Sequence, residues 1–166
     1  EHMLPVDQFE PQLAPLLDRL QHRIPHNAQV IPLYQADAVA VARLHMAELG
    51  GDSEVLRRRI LGESADAFSP RLSRVLLIGD RVMGCILARR LSKELVFVDA
   101  NIVDPAIRGR WANIWLKLAS TQNAMQSGVK RFRFNTFDHY GDTRSFTERL
   151  GGVTTRTTVL MHRLLK

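Results

Sequence analysis

Cysteine is nearly absent: Cys85, inside the apolar run "VMGCIL", is the only one in the chain. An intrachain disulfide and a thiolate-rich metal site are thereby excluded, and Cys85 reads as a small buried hydrophobe. Long apolar runs are missing too. No stretch approaches the roughly 20 residues needed to span a bilayer, and the N-terminus lacks the basic-then-apolar layout of a signal peptide. The expectation is a soluble, cytoplasmic chain with no membrane partner. Glu1 and His2 have the look of a cloning remnant ahead of Met3 and are set aside. No Gly-x-x-x-x-Gly-Lys phosphate loop, Gly-x-Ser-x-Gly nucleophile elbow or His-Glu-x-x-His zinc helix occurs. Phosphoryl transfer, serine hydrolysis and zinc catalysis rank low, and His22, His26, His45 and His162 have no ligand spacing, so no metal is expected.

What is present begins with size and charge. A chain of 166 residues corresponds to about one domain and buries roughly two thirds of its unfolded surface. Its net charge of +6 and isoelectric point of about 10.2 attract anions over distance; nucleic acid, a membrane surface and a polyphosphate cofactor all qualify. Arg57, Arg58 and Arg59 would spread around most of a helix circumference and read as solvated charge. With no recognition-helix, zinc-finger or stacking-aromatic pattern beside them, no specific nucleic-acid role is expected.

The pattern along the chain predicts a mixed α/β domain with helices interleaved among strands. Leu13, Leu16, Leu17 and Leu20 have the spacing of an amphipathic helix, which is expected to pack on the domain or on a second copy of it as a homodimer. Residues 1–28 are taken as an N-terminal extension, tag remnant plus helix, and 29–166 as the domain proper. "QVIPLY" reads as a strand, and two helices follow, the second capped by Asp52 or Ser53. A hairpin turns at Gly79-Asp80. "ELVFVDANIV" is apolar enough to be a central strand. A helix ending at Gly128, the alternating strand "RFRFNT", a helix over "DTRSFTERL" and a last strand over "TRTTVLMHRLL" complete the order.

The stretch "VDPAIRGRWANIWL" then carries a resemblance. Val103, Pro105, Arg108, Gly109 and Leu116 stand in the register of the signature of the GNAT superfamily of acyl-CoA-dependent N-acyltransferases. Gly128 with Phe132, Phe134 and Thr136, and Leu150-Gly151 with Gly152, are similar to that family's later anchors; "RVMG" resembles its third-strand start. The resemblance covers about Ser73 to Leu165. It implies a GNAT-like fold and transfer of an acetyl or other acyl group from acetyl-CoA or another acyl-CoA to an amine on a small molecule or protein. It also implies that the strands starting near Leu95 and Arg131 run parallel and splay, with the pantetheine arm between them as an added strand would lie. Backbone N–H groups would stabilise the oxyanion, and a helix N-terminus would bind the pyrophosphate. Ile102, Val103, Arg108, Gly109, Arg110, Trp111, Ala112 and Asn113 are the cofactor-binding candidates.

Two departures stand out. The first signature Gly is Trp111 and the final Gly or Ala is Asn113. Trp111 either packs with Trp115 one turn on, contacts the cofactor, or obstructs it. The slot that often holds the family's thiolate-protonating Tyr is Thr147, and the preceding Asn slot is Tyr140; Thr147, Tyr140 and His139 are the available donors, although His139 and Tyr140 also read as ordinary loop residues. The residues themselves offer Asp99 and Asn101 for the amine. Both are polar within an apolar strand, and the two-residue period puts them on one face. Asp99 either takes the amine proton or pairs with Arg131 or Arg133. Glu94 and Asp104, at strand ends, read as solvated. The alternative to an enzyme is a catalytically silent GNAT-fold module that binds or regulates a partner.

Overall fold

The computed structural model describes residues 1–109, 111–135, 148 and 151–157. The sheet grows from the hairpin predicted at Gly79-Asp80: β3 (Arg74–Ile78) and β4 (Arg81–Arg90) are antiparallel neighbours. β4 pairs antiparallel with β5 (Leu95–Val103), and β5 pairs parallel with β6 (Arg131–Phe134). The helix between those two strands, α4 (Trp111–Gln126), is the crossover that parallel pairing requires. On the other side β2 (Ala28–Pro32) is antiparallel to β3. A further strand, β1 (His2–Pro5), inserts antiparallel to β6 and also pairs with β7 (Val153–Thr154). Among the described residues the sheet has seven strands in the order β2-β3-β4-β5-β6-β1-β7.

β1 was not expected, because four residues with no alternation carry no strand signal. It forms because Leu4 is buried at 1% exposure and the His2 ring stacks on Phe134 at 5.5 Å. Of the two residues set aside as a remnant, His2 thus lies within the sheet. The N-terminal helix, α1 (Phe9–Leu20), packs on α4. Its buried stripe is Phe9 and Leu13, continued by the partly buried Leu17 and Leu20. Leu16, expected on that face, is 42% exposed, since it falls at the edge of the arc that Phe9, Leu13 and Leu17 share at 3.6 residues per turn.

On the opposite face lie α2 (Ala38–Leu49) and α3 (Ser53–Leu61). Asp37 caps α2 by accepting the N–H groups of Val39 and Ala40, and Asp52 caps α3 by accepting those of Glu54 and Val55. One apolar cluster joins α1 and α4 to the sheet, a second joins α2 and α3 to the other face, and a third seats the first turns of α4 over β3 and β4. Gly84 makes that last contact possible: a Cβ there would sit 2.9 Å from both the Ile102 carbonyl and Leu116 Cδ1. Cys85 is fully buried, and burial pushes its thiol up to about 12. The expected helix over "DTRSFTERL" and the last strand lie, apart from Glu148, Gly151 and residues 152–157, outside the described residues.

Candidate active site

β5 carries the site, and a bulge shapes it. Leu87 faces Ala100 across the β4–β5 ladder and Ala88 faces Val98, leaving Asp99 as one extra residue. The side-chain alternation changes phase there. Val96 and Val98 pack on the α1/α4 side, whereas Ala100 and Ile102, of the same parity, pack on the α2/α3 side. Asp99 and Asn101 therefore face opposite ways, against the two-residue expectation. Asp99 turns to α3 and β4, where Oδ1 accepts from Arg59 Nη2 at 2.8 Å and Oδ2 from Arg89 Nε at 2.7 Å. Asn101 turns to α4 and donates from Nδ2 to Asn113 Oδ1 at 3.0 Å.

The pairing alternative for Asp99 named Arg131 and Arg133; its partners are Arg59 and Arg89 instead. Both oxygens are occupied by guanidinium donors, so a proton-accepting role would compete with two ion pairs. Arg59 is also not the solvated charge expected of its run. It bridges Asp99 and Asp66 and lies 4.1 Å over the Phe68 ring, while Arg57 stays on the surface with Glu54. Glu94 pairs with Lys130 at 2.6 Å. Asp104 caps a short turn at Pro105–Ile107 by accepting from Ala106 N–H at 2.9 Å.

That turn leads into α4 through Arg108 and Gly109. Gly109 has φ 74°, and a Cβ there would meet nothing within 4 Å. Left-handed backbone, and not crowding, is what asks for glycine at this position. Arg108 donates to the Val103 carbonyl at 3.1 and 3.3 Å and is ion-paired with Glu48 of α2, so its guanidinium is held against the protein's own groups. Trp111 is 3% exposed in the cluster with Leu76, Met83 and Ile86, and its ring lies 5.8 Å from that of Trp115. The packing reading of Trp111 holds. Its indole and the fully buried Ala112 side chain take no part in lining the cavity described next.

Among the described residues the β5–β6 ladder runs from Leu95↔Arg131 to Val98↔Phe134, while β5 continues to Val103. A cavity of about 680 Å³ opens beside that part of β5. Of the sequence candidates it takes in Asp99, Asn101, Ile102, Val103 and Arg108; Gly109, Trp111, Ala112 and Asn113 do not line it. Arg110, His139, Tyr140 and Thr147 lie outside the described residues. The α2-side mouth adds Glu48, and the α4 wall adds Lys117, Ser120 and Thr121. None of these four was singled out from sequence. For the α4 group a signal existed: three polar residues at i, i+3 and i+4 share one face of a helix whose Leu116, Leu118 and Ala124 are buried. Burial holds the Lys117 ammonium down to about 8. His45, on α2, is lowered by burial as well.

No family model matches the chain, and no curated protein matches it by sequence. Solved structures do match by shape. The aminoglycoside N-acetyltransferase AAC(6')-Iy, crystallised with CoA, has a TM-score of 0.59 at 14% identity, covering 82% of this chain and 93% of its own. An acetyltransferase from Streptococcus agalactiae 2603 has a TM-score of 0.61 at 15% identity, covering 85% and 93%. A tandem GNAT protein from the clavulanic acid biosynthesis pathway has a TM-score of 0.59 at 17% identity and covers 91% of this chain and 48% of its own. At such identities a likeness in shape speaks for architecture alone. Together with the mixed sheet, the parallel crossover pair and the gap that opens beside its bulged strand, it establishes that this chain has the GNAT fold.

Proposed function

We propose that the chain transfers an acetyl or other acyl group from acyl-CoA to an amine on a small molecule or protein. One observation carries the reading: among the described residues β5 has no β6 partner beyond Val98, and a cavity opens where that part of the strand faces α4. A freed strand edge offers backbone groups to an extended, amide-bearing ligand. The first turn of α4 offers N–H groups that have no partner within a helix. Ile102, Val103 and Arg108 would hold acyl-CoA from the strand side, with the main chain of Gly109, Ala112 and Asn113 at the helix end. Trp111 belongs to the wall behind them.

Acyl-CoA supplies a thioester whose thiol has a pKa of about 8.5, so the sulfur can depart as thiolate near neutral pH. The attacking amine forms the C–N bond as the C–S bond breaks, and its proton must go to a base. Glu48 is the better-placed carboxylate. It lines the cavity, and among the described residues Arg108 engages its Oε2 alone, whereas both oxygens of Asp99 are occupied. Asp99 keeps Arg59 and Arg89 in position beside the bulge. A coupled assay of thiol release from acetyl-CoA over a panel of amines tests this reading. Wild type is expected to turn over at least one amine, and Glu48→Gln to lose about a hundredfold or more; a Glu48→Gln enzyme as fast as wild type would remove Glu48 from the reaction.

A second reading, a catalytically silent module of the same fold that binds a partner, is favoured by the ion pair that turns Arg108 toward Glu48. It predicts no thiol release with any amine.

A further inference from the structure

The cavity follows β5 for most of the strand. Val96 lines it, and so does every residue from Val98 to Val103. From Val96 to Val103 is about 23 Å at the rise of a strand. Helix α4 runs back along the same path: Asn113, near its start, is bonded to Asn101, and Ala124, near its end, lines the cavity. From Trp111 to Ala124 is about 20 Å at the rise of an α-helix. The two ends are unlike. Glu48 and Arg108 stand at the mouth, whereas Leu4, Phe9, Leu72, Val96, Ala124 and Phe132 wall the inner end and belong to one apolar cluster. Ser120 and Thr121 are polar insertions from α4.

A ligand with its phosphates at the start of α4 does not fill this length with pantetheine alone. About thirteen bonds separate phosphorus from sulfur in that arm, and at three backbone bonds per residue an extended arm spans about 15 Å. About 5 to 8 Å of cavity then lies beyond the sulfur, which roughly four to seven further bonds fill by the same measure. We propose that the inner end is a subsite for an unbranched aliphatic acyl chain of about six carbons, so that the donor is a medium-chain acyl-CoA in preference to acetyl-CoA. Methylenes laid against the apolar cluster leave water, a gain of about fourfold in binding for each one buried. An acetyl group stops short of Leu72 and Ala124, and unfilled apolar space forfeits contacts. The bond made to the amine and the bond broken to sulfur are the same in both cases, since the chain beyond the carbonyl takes no part in transfer.

The inference rests on the acyl-CoA reading, and one series of titrations separates the two. Calorimetry on the full chain at pH 7 would compare acetyl-, butyryl-, hexanoyl- and decanoyl-CoA. Binding is expected to tighten from acetyl to hexanoyl by about tenfold or more, and decanoyl-CoA, too long for the cavity, to bind no tighter than hexanoyl-CoA. Ala124→Phe fills the inner end, and should remove the hexanoyl advantage while leaving acetyl-CoA binding unchanged. Should Ala124→Phe not fold, Leu72→Phe narrows the same end from outside α4. Equal binding of acetyl- and hexanoyl-CoA by wild type, affinity that keeps rising through decanoyl-CoA, or a hexanoyl advantage that survives the substitution would each overturn the subsite and leave the acyl-CoA reading in place. Failure of all four thioesters to bind would instead remove the acyl-CoA reading, and the subsite with it.

Discussion

Asp99 and Asn101 stand two residues apart on β5 and face opposite sides of the sheet. Asp99 is ion-paired to Arg59 of α3, and Asn101 is hydrogen-bonded to Asn113 of α4. The extra residue at the bulge causes this. The same strand thus binds one helical layer with a carboxylate and the other with an amide, just past Val98, its last β6-paired position among the described residues.

Replacing Asp99 by Asn should leave two guanidinium groups facing a neutral amide. Breaking a fully buried pair costs about 3 to 5 kcal/mol; Asp99 is partly exposed, so about 2 kcal/mol is expected. Denaturant unfolding measures it. Unaltered stability, together with a large loss of rate, would instead place Asp99 in the proton transfer.

Lys117 makes stability depend on pH in a definite direction. Its folded pKa, about 8 against an ordinary 10.5, means that the unfolded chain binds more protons between those values, so stability should rise as pH climbs from about 8 to about 10.5. Below that window the burial penalty is fully present. Lys117→Met is therefore expected to be more stable than wild type at pH 7 and to lack the rise, as thermal unfolding across pH 7 to 10.5 would reveal. A wild-type profile as flat as the variant's would show that the ammonium is solvated.

Trp111→Gly should lose about 3 to 5 kcal/mol, the range for deleting a large buried aromatic, without gaining affinity for CoA. A folded variant with tighter CoA binding and little loss of stability would mean that the indole obstructs the phosphate site instead of packing behind it.

Deletion of residues 1–23 takes away β1, which pairs with both β6 and β7, and α1, which packs on α4. A clear fall in melting temperature is expected. An unchanged melting temperature would restore these residues to the status of a separable extension.

Much of the fold was legible because its signals are local. The hairpin at Gly79-Asp80, the Asp52 cap and the parallel β5–β6 pair around α4 all follow from turn chemistry, capping and crossover length. β1 was not legible, since its pairing depends on partners more than 125 residues away in sequence. The bulge at Asp99 was hidden for another reason: "LVFVDANIV" reads as one continuous strand, and only the register against β4 reveals the extra residue. That single insertion misdirected the placement of Asp99 relative to Asn101. Glu48 gave no sign either, being one acidic residue near a helix end, brought to the cavity by the packing of α2 across the sheet. Trp111 was left open between packing and binding because periodicity pairs it with Trp115 but does not say which face of α4 is covered.

The most direct measurement is a calorimetric titration of the wild-type chain with acetyl-CoA. Saturable one-to-one binding at or below millimolar ligand, weakened by added salt as a phosphate-binding helix end requires, is the expected result. No detectable heat at millimolar acetyl-CoA, from protein shown to be folded and unchanged in melting temperature by the ligand, would contradict acyl-CoA use and leave the partner-binding module as the function of this fold.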